Sequence, residues 1–242
     1  MSAQADSSPV ISNKTRNYTL AMLVAIYASS HVDRQIVSIL AESIKLELML
    51  SDTQLGFLIG LSFAIFYATL GIPIAILADR YSRRNIIAIS VIVWSGMTAL
   101  CGLAGSYLHL ALARIGVGIG EAGSSPPSHS MISDLYPPEK RATAMGIYAA
   151  GINIGVLLGF LVGGWIDEWY GWRIAFFVVG LPGIILGLLM FFTVKEPARM
   201  EVPKPMPKNI FGEVWDTFKI MMAIPSLRHI VIGTTLVVFV GY

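Results

Sequence analysis

Two pairs of charged residues stand where this chain is otherwise apolar. The first is Asp33 and Arg34, with His31 just before them; the second is Arg114 and Glu121, inside the stretch Ala111–Pro127, ALARIGVGIGEAGSSPP. Charges at membrane depth are rare and face a bundle interior or a water-filled cavity, because lipid cannot solvate them. Arg114 and Glu121 are seven residues apart. On a helix of ~3.6 residues per turn that puts them on one face, roughly 10 Å apart along the axis. This is too far for a pair within one helix, so each is expected to answer to something on another. Gly116, Gly118, Gly120 and Gly123 thin the same segment and let neighbours approach. Adjacent helical residues point about 100° apart, so Asp33 and Arg34 do not face each other, and Arg34 can reach back toward Ser30 or His31.

The chemistry open to such a set is proton transfer. Removal from water favours the neutral form of a carboxylate, and a nearby arginine favours the charged form. A conformational change that alters the arginine's distance then lets the acid take up and release a proton. Asp33 and Glu121 are the candidate proton sites. Arg34, Arg114 and His31 would tune them or hold an anionic headgroup. The alternative is a static lock, in which the charges neutralise one another across a helix interface and His31 is a hydrogen-bonded packing residue.

The elements that position these residues follow from composition. The 242 residues are 55% hydrophobic and only 13% charged, with a mean hydropathy of +0.69. Soluble domains carry about 25% charged residues, so the chain reads as an all-α integral membrane protein. Spanning the hydrocarbon takes ~20 mostly apolar residues as a helix. Six segments meet that test: Tyr18–Leu40, Thr53–Ala78, Ile86–Gly105, Tyr107–Leu135 with a bend at Pro126–Pro127, Ala142–Ile166 and Ile174–Val194. A capping box, Ser51 to Gln54, precedes the second. The first span has no small-residue cleavage site and reads as retained rather than as a signal peptide. A seventh apolar run, Leu227–Tyr242, is short for a span, and the chain is read as the first half of something larger. The single cysteine, Cys101, excludes an internal disulfide and reads as a small buried apolar residue.

Orientation follows the basic residues of the short loops, which favour the cytoplasm. Lys14 and Arg16, then Arg80, Arg83 and Arg84, then Lys140 and Arg141, then Lys195, Arg199, Lys204 and Lys208 make eleven on one side, against Lys45 and Arg173 on the other. The predicted organisation is a cytoplasmic tail over 1–17, a six-helix bundle over 18–194, a cytoplasmic linker over 195–225 and the start of a seventh helix over 226–242. The linker is proline-rich and is expected to be extended or only locally helical. Trp94, Trp165, Trp169, Trp172 and Tyr170 read as interfacial anchors. Phe63, Phe66, Tyr67, Met131 and Asn153 are possible cavity residues, with packing the alternative.

The loop after the second span reads Ala75-Ile-Leu-Ala-Asp79-Arg-Tyr-Ser-Arg83-Arg84. It resembles a signature of the major facilitator superfamily: glycine, three residues, aspartate, arginine, one residue, glycine, then basic residues. Asp79, Arg80, Arg83 and Arg84 are in register, while Ala75 and Ser82 stand where glycines are usual. Arg114, Gly118 and Gly120 resemble a second signature, and Gly151, Gly155, Gly159 and Gly163 a third, with Val156 where antiporters often have proline. Within the superfamily, His31-Val-Asp-Arg34, Leu50-Ser-Asp-Thr-Gln-Leu-Gly56, Ala78-Asp-Arg-Tyr-Ser-Arg-Arg84, Gly118-Ile-Gly-Glu-Ala122, Ile132-Ser-Asp-Leu135, Gly171-Trp-Arg173 and Lys195-Glu-Pro197 resemble the spinster branch of lipid and lysolipid transporters.

The resemblance implies a twelve-helix fold of two six-helix halves, of which this chain holds the first half and the start of helix seven. It implies alternating access driven by an ion gradient, with protons the expected ion and a lysophospholipid or sphingoid phosphate the expected substrate. A small organic anion carried by symport is the second substrate class, and a non-transporting receptor or scaffold the alternative of another kind. Asp79, Arg80, Arg83, Arg84, Asp134 and Arg141 are expected to form a charge network that closes a cytoplasmic gate. The sequence carries no phosphate-binding loop of the Walker type, no metal-ligand spacing, no nucleic-acid patch and no nucleophile elbow around Ser128-His129-Ser130. No cofactor, metal or catalytic residue is expected, the partners are substrate, proton and membrane lipid, and the full-length protein is expected to work as a monomer.

Overall fold

A computed structural model describes residues 12–199 and 209–241. The described residues are helical with short connections. The elements are α1 (Asn13–Ile39), α2 (Ala41–Leu48), α3 (Asp52–Gly56), a π turn (Phe57–Leu61), α4 (Ser62–Ala78), α5 (Arg83–Cys101), α6 (Tyr107–Glu121), α7 (Ser125–Leu135), α8 (Pro138–Tyr170), α9 (Trp172–Thr193), α10 (Ile210–Ala223) and α11 (Pro225–Gly241). The chain divides after residue 203 into two compact units. The first holds α1 to α9 and the second α10 and α11.

Local chemistry sets the helix ends. Ser12, Ser82 and Ser106 each accept a hydrogen bond from the backbone N–H three residues on, satisfying a donor the helix itself leaves free. Ser51 and Gln54 form a reciprocal capping box in front of α3. Its axis continues through the π turn into α4, which holds Pro73. Gly171, at φ 80°, turns the chain between α8 and α9 in a conformation that L side chains rarely adopt.

Among the described residues, four helical segments are long and apolar enough to cross a membrane: Asp52–Ala78, Arg83–Cys101, Pro138–Tyr170 and Trp172–Thr193. The first predicted span falls on α1, whose apolar stretch is interrupted by Asp33 and Arg34. The fourth is split into α6 and α7, each too short to span alone. The split corrects the expected bend at Pro126–Pro127. The helix stops at Glu121, turns through Ala122–Ser124 and restarts at Ser125, so the prolines lie in the first turn of α7, where a missing N–H costs nothing.

The packing is organised around close pairs: α5 against α9, α1 against α8, and α6 against both α5 and α4. Small residues permit it. A Cβ on Gly155 of α8 would lie 2.3 Å from the Ala28 carbonyl oxygen of α1, and one on Gly120 of α6 would lie 2.7 Å from the backbone N of Trp94 on α5. These contacts fix the register that brings the charged residues of α1 and α6 together. One apolar core surrounds Trp94, Val117, Met131 and Tyr148; the other surrounds Ile36, Leu58, Phe176 and Trp172. Leu157, Phe160 and Leu161 of α8 and Ile185 and Phe192 of α9 are exposed, as a lipid-facing surface requires.

Candidate functional site

The α1 and α6 charges meet. Arg34 Nε lies 2.7 Å from Glu121 Oε2, and the two side chains differ sharply in exposure, 21% against 1%. Arg34 therefore crosses to α6 rather than reaching back along its own helix to Ser30 or His31, because the buried carboxylate is the stronger partner. Its guanidinium lies over two rings of α4, 4.9 Å from the centre of Phe63 and 4.7 Å from that of Tyr67. The pair thus has an aromatic floor, a buried acid behind it and a partly open cation in front.

Asp33, fully buried, accepts a hydrogen bond from Trp94 Nε1 at 3.0 Å. Arg114 approaches the same residue through the backbone, donating from Nη1 to the Asp33 carbonyl at 3.3 Å. Asp33 Oδ1, Glu121 Oε1 and Arg114 Nε have no hydrogen-bond partner among the described residues. The four charges are therefore grouped but not mutually saturated among the described residues. His31 Nδ1 lies 2.9 Å from the Tyr27 carbonyl and 3.3 Å from Ser30 Oγ, with its ring edge-on to Tyr27. Its surroundings are those of a packed, hydrogen-bonded histidine.

Trp94 corrects an expectation. It is not an interfacial anchor: it lies midway along α5, fully buried, with its one donor on Asp33. Its place midway along a predicted span was the available signal. Trp165, Trp169 and Tyr170, at the far end of α8, are exposed. Trp172 is buried and donates to Glu47 Oε2 at 2.6 Å, while Arg173 pairs with the same carboxylate and donates from Nη2 to the Ala104 carbonyl at 3.0 Å. The hydrogen bonds from Arg173 and Trp172 hold the Glu47 carboxyl below its ordinary range. Of the possible cavity residues, Met131 is buried, Phe66 half-buried and Asn153 exposed.

At the other end of the bundle Arg83, fully buried, is the hub. It donates to Asp134 Oδ2 at 2.5 Å, to Ser130 Oγ at 2.9 Å, to Glu196 Oε1 at 3.0 Å and to the Pro197 carbonyl at 3.0 Å. Glu196 also accepts from Ser82 Oγ and from the backbone amides of Arg83 and Arg84, so it closes the N-terminus of α5. Burial alone would raise its carboxyl; these amide, guanidinium and hydroxyl donors outweigh that and hold it below the ordinary value. Glu196 was not among the expected gate residues, although its segment Lys195-Glu-Pro197 carried part of the resemblance.

Arg84 donates to Asn85 Oδ1 and to the Val194 carbonyl, Arg80 to the Ile76 carbonyl and Arg141 to the Tyr136 carbonyl. Asp79 is exposed and enters through its backbone, its carbonyl accepting from Arg199, which also bonds the carbonyls of Ala78 and Tyr81. No group of three or more His, Cys, Asp or Glu able to hold a metal ion occurs among the described residues.

Comparison with known proteins places this arrangement. The profile of the Major Facilitator Superfamily matches residues 23–242. A bacterial homologue of the human lysosomal transporter Spinster, solved in an inward-facing and unoccupied conformation, is 38% identical with a TM-score of 0.80, covering 96% of this chain and 54% of that one. An inward-facing, occupied structure is 41% identical with a TM-score of 0.74, over 84% of this chain and 48% of that one. An MFS-type efflux pump of Mycolicibacterium smegmatis is 32% identical over 92% of this chain and 51% of its own length. The spinster homolog 1 of Xenopus tropicalis is 28% identical over 93% of this chain and 44% of its own length. The chain spans about half the length of the curated relatives it matches. Family profile, solved relatives and helix arrangement agree: the chain belongs to the major facilitator superfamily and is spinster-like within it.

Proposed function

We propose that the full-length protein is a secondary active transporter that moves an amphiphilic anion, a lysophospholipid or sphingoid phosphate, by alternating access coupled to protons. One observation carries the reading: a partly open guanidinium, Arg34, is paired with a carboxylate, Glu121, that is shut away behind it on another helix. An anionic headgroup and Glu121 compete for the same cation. When the headgroup takes Arg34, Glu121 is left as a buried acid without its counter-charge, and a proton neutralises it. By linkage, a proton already on Glu121 frees Arg34 for the anion. The two ligands then bind together and travel together. Asp33, whose second oxygen has no partner among the described residues, is the second proton site. Trp94 positions it and Arg114 fixes the local backbone of α1.

The apolar moiety of the substrate follows from the surroundings of the cation. Phe63 and Tyr67 flank Arg34, and rings beside a cation suit a headgroup that carries an acyl chain better than a fully hydrated acid. The second reading, a small organic anion, is supported by similarity to a hexuronate transporter of Bacillus subtilis, 32% identical over 69% of this chain and 39% of its own length. In this account the N-terminus is cytoplasmic, the Arg83–Asp134–Glu196 hub is the first half's share of the cytoplasmic gate, and a single full-length copy completes the pathway. A competition experiment decides the substrate class. Binding of a radiolabelled lysophosphatidylglycerol to the purified full-length protein is challenged with excess hexuronate, and repeated with Arg34→Ala. Binding that survives hexuronate and disappears in Arg34→Ala supports the lipid reading. Displacement by hexuronate overturns it.

A further inference from the structure

Asp33 has a further polar neighbour, Thr98. On α5, Trp94, Thr98 and Cys101 follow one another at spacings of four and three residues, which places them on one helix face within an arc of about 60°. All three are buried, and Trp94 holds Asp33 Oδ2. Thr98 stands one turn further along, close enough to act on the same carboxyl. It is not in hydrogen-bond contact with it: neither Thr98 Oγ1 nor Asp33 Oδ1 has a partner among the described residues.

That hydroxyl is turned away from its own helix. A threonine inside a helix can bond the carbonyl one turn back. Thr19, Thr69 and Thr193 do so, at 2.9, 2.7 and 2.6 Å. Thr98 leaves the Trp94 carbonyl alone. A buried hydroxyl without a partner is costly, and one that forgoes the bond its helix offers calls for another use.

The groups around Asp33 differ in what they can do. From α6 it is faced by Glu121 and Arg114, and from α5 by Cys101. Trp94 and Arg114 only donate, an ionised carboxylate only accepts, a thiol does both weakly, and a hydroxyl does both well. A charged Asp33 needs donors, and a protonated Asp33 needs an acceptor for its own O–H. Thr98 is the neighbour that serves both forms.

We propose that Thr98 is a positioning residue for the proton on Asp33. Its hydroxyl donates to Oδ1 when the carboxyl is charged. When Oδ1 takes the proton, the hydroxyl rotates about its Cβ–Oγ1 bond and accepts the new O–H. Trp94 donates to Oδ2 in both forms, and no hydrogen other than the incoming proton changes its atom. The assignment rests on Asp33 being a proton site, as proposed above.

The test compares the full-length wild type with Thr98→Val, Thr98→Ala, Thr98→Ser, Thr19→Val and Asp33→Asn. Infrared difference spectra between alkaline and acid pH identify the C=O band of protonated Asp33 as the one that Asp33→Asn removes. Loss of the hydroxyl in Thr98→Val and Thr98→Ala should move that band to higher frequency. Thr98→Ser, and Thr19→Val as a buried threonine bonded to its own helix, should leave it in place. Lysophospholipid uptake by proteoliposomes should follow the same order. The midpoint of its pH dependence moves up by about half to one unit in Thr98→Val, because a hydrogen bond to the charged form is worth more than one to the neutral form. A band that stays put without the hydroxyl, or moves equally in Thr98→Ser or Thr19→Val, overturns the proposal. So does the lack of any band that Asp33→Asn removes, and so does an unmoved midpoint in Thr98→Val while uptake remains gradient-driven. Uptake that ignores the gradient in the wild type sinks the transport reading by itself, and the infrared band still decides the role of Thr98.

Discussion

Replacement of Glu196 is expected to loosen the cytoplasmic end of the bundle by an amount its partners define. The carboxylate accepts from Arg83 Nε at 3.0 Å, from the Arg84 amide at 2.8 Å, from the Arg83 amide at 3.3 Å and from Ser82 Oγ at 2.8 Å. Breaking a buried ion pair by removing one partner costs about 3–5 kcal/mol. Arg83 keeps Asp134, Ser130 and the Pro197 carbonyl, so Glu196→Ala should fall at the low end, about 3 kcal/mol. Glu196→Gln keeps one acceptor oxygen but turns an NH2 toward the donors that met the other, so it loses the charge and one acceptor, at a cost of about 1–3 kcal/mol. The assay is thermal unfolding of the full-length protein in detergent, followed between pH 7 and pH 4. Because the folded state holds this carboxyl below its ordinary value of 4.5, its contribution is fully present above that pH. It is lost as pH falls through the folded value. The gap between the wild type and Glu196→Gln should therefore be flat from pH 7 to 5 and narrow below about 4.5. Equal melting of the wild type and Glu196→Ala, or a gap that widens on acidification, refutes the reasoning.

Further outcomes are expected on α8, at Trp94 and at Glu47. Gly155→Ala places a Cβ 2.3 Å from the Ala28 carbonyl, so it should force α1 from α8, cost about 1–3 kcal/mol and lower the melting temperature. Gly164→Ala on the same helix meets nothing within 4 Å and should instead raise it slightly, by about 0.5–1 kcal/mol. Trp94→Phe removes the indole donor from Asp33 and should change the pH profile of transport, read in proteoliposomes, whereas Trp165→Phe at an exposed position should leave the profile unchanged. Glu47→Gln should alter stability by less than about 1 kcal/mol at physiological salt, because an exposed ion pair is worth little. Glu47→Ala should cost more, since it strands the buried Trp172 donor; melting curves of the two variants at one salt concentration separate these outcomes.

Much of the fold was legible because membrane spans announce themselves by length and apolarity. The four spans with few charges, and the capping box at Ser51, needed nothing beyond their own residues. The site was legible in part for the same reason: Asp33, Arg34, Arg114 and Glu121 stand out because lipid makes them costly. Their partners were not. Arg34 and Glu121 are 87 residues apart in the chain, and the register that joins them is set by small-residue contacts between helices. Trp94 differed from the other tryptophans only in lying midway along its predicted span, and the partner it faces, Asp33, could be found only from the packing. Glu196 lies 113 residues from Arg83 in a segment that reads as loop, so no local pattern identified it as the cap of α5. The helix break at 122–124 was misplaced because the prolines were taken to bend one continuous helix, when their missing N–H suits the start of the next.

The account rests on the carboxylates of α1 and α6 as the sites through which a proton drives transport. The direct measurement is uptake of a lysophospholipid by proteoliposomes of the full-length protein, with and without a pH gradient, in the wild type, Asp33→Asn and Glu121→Gln. Gradient-driven uptake in the wild type that becomes insensitive to the gradient in either variant is the expected result. Uptake that ignores the gradient in all three proteins, with both variants matching the wild type, would contradict the account and leave these carboxylates a structural role only.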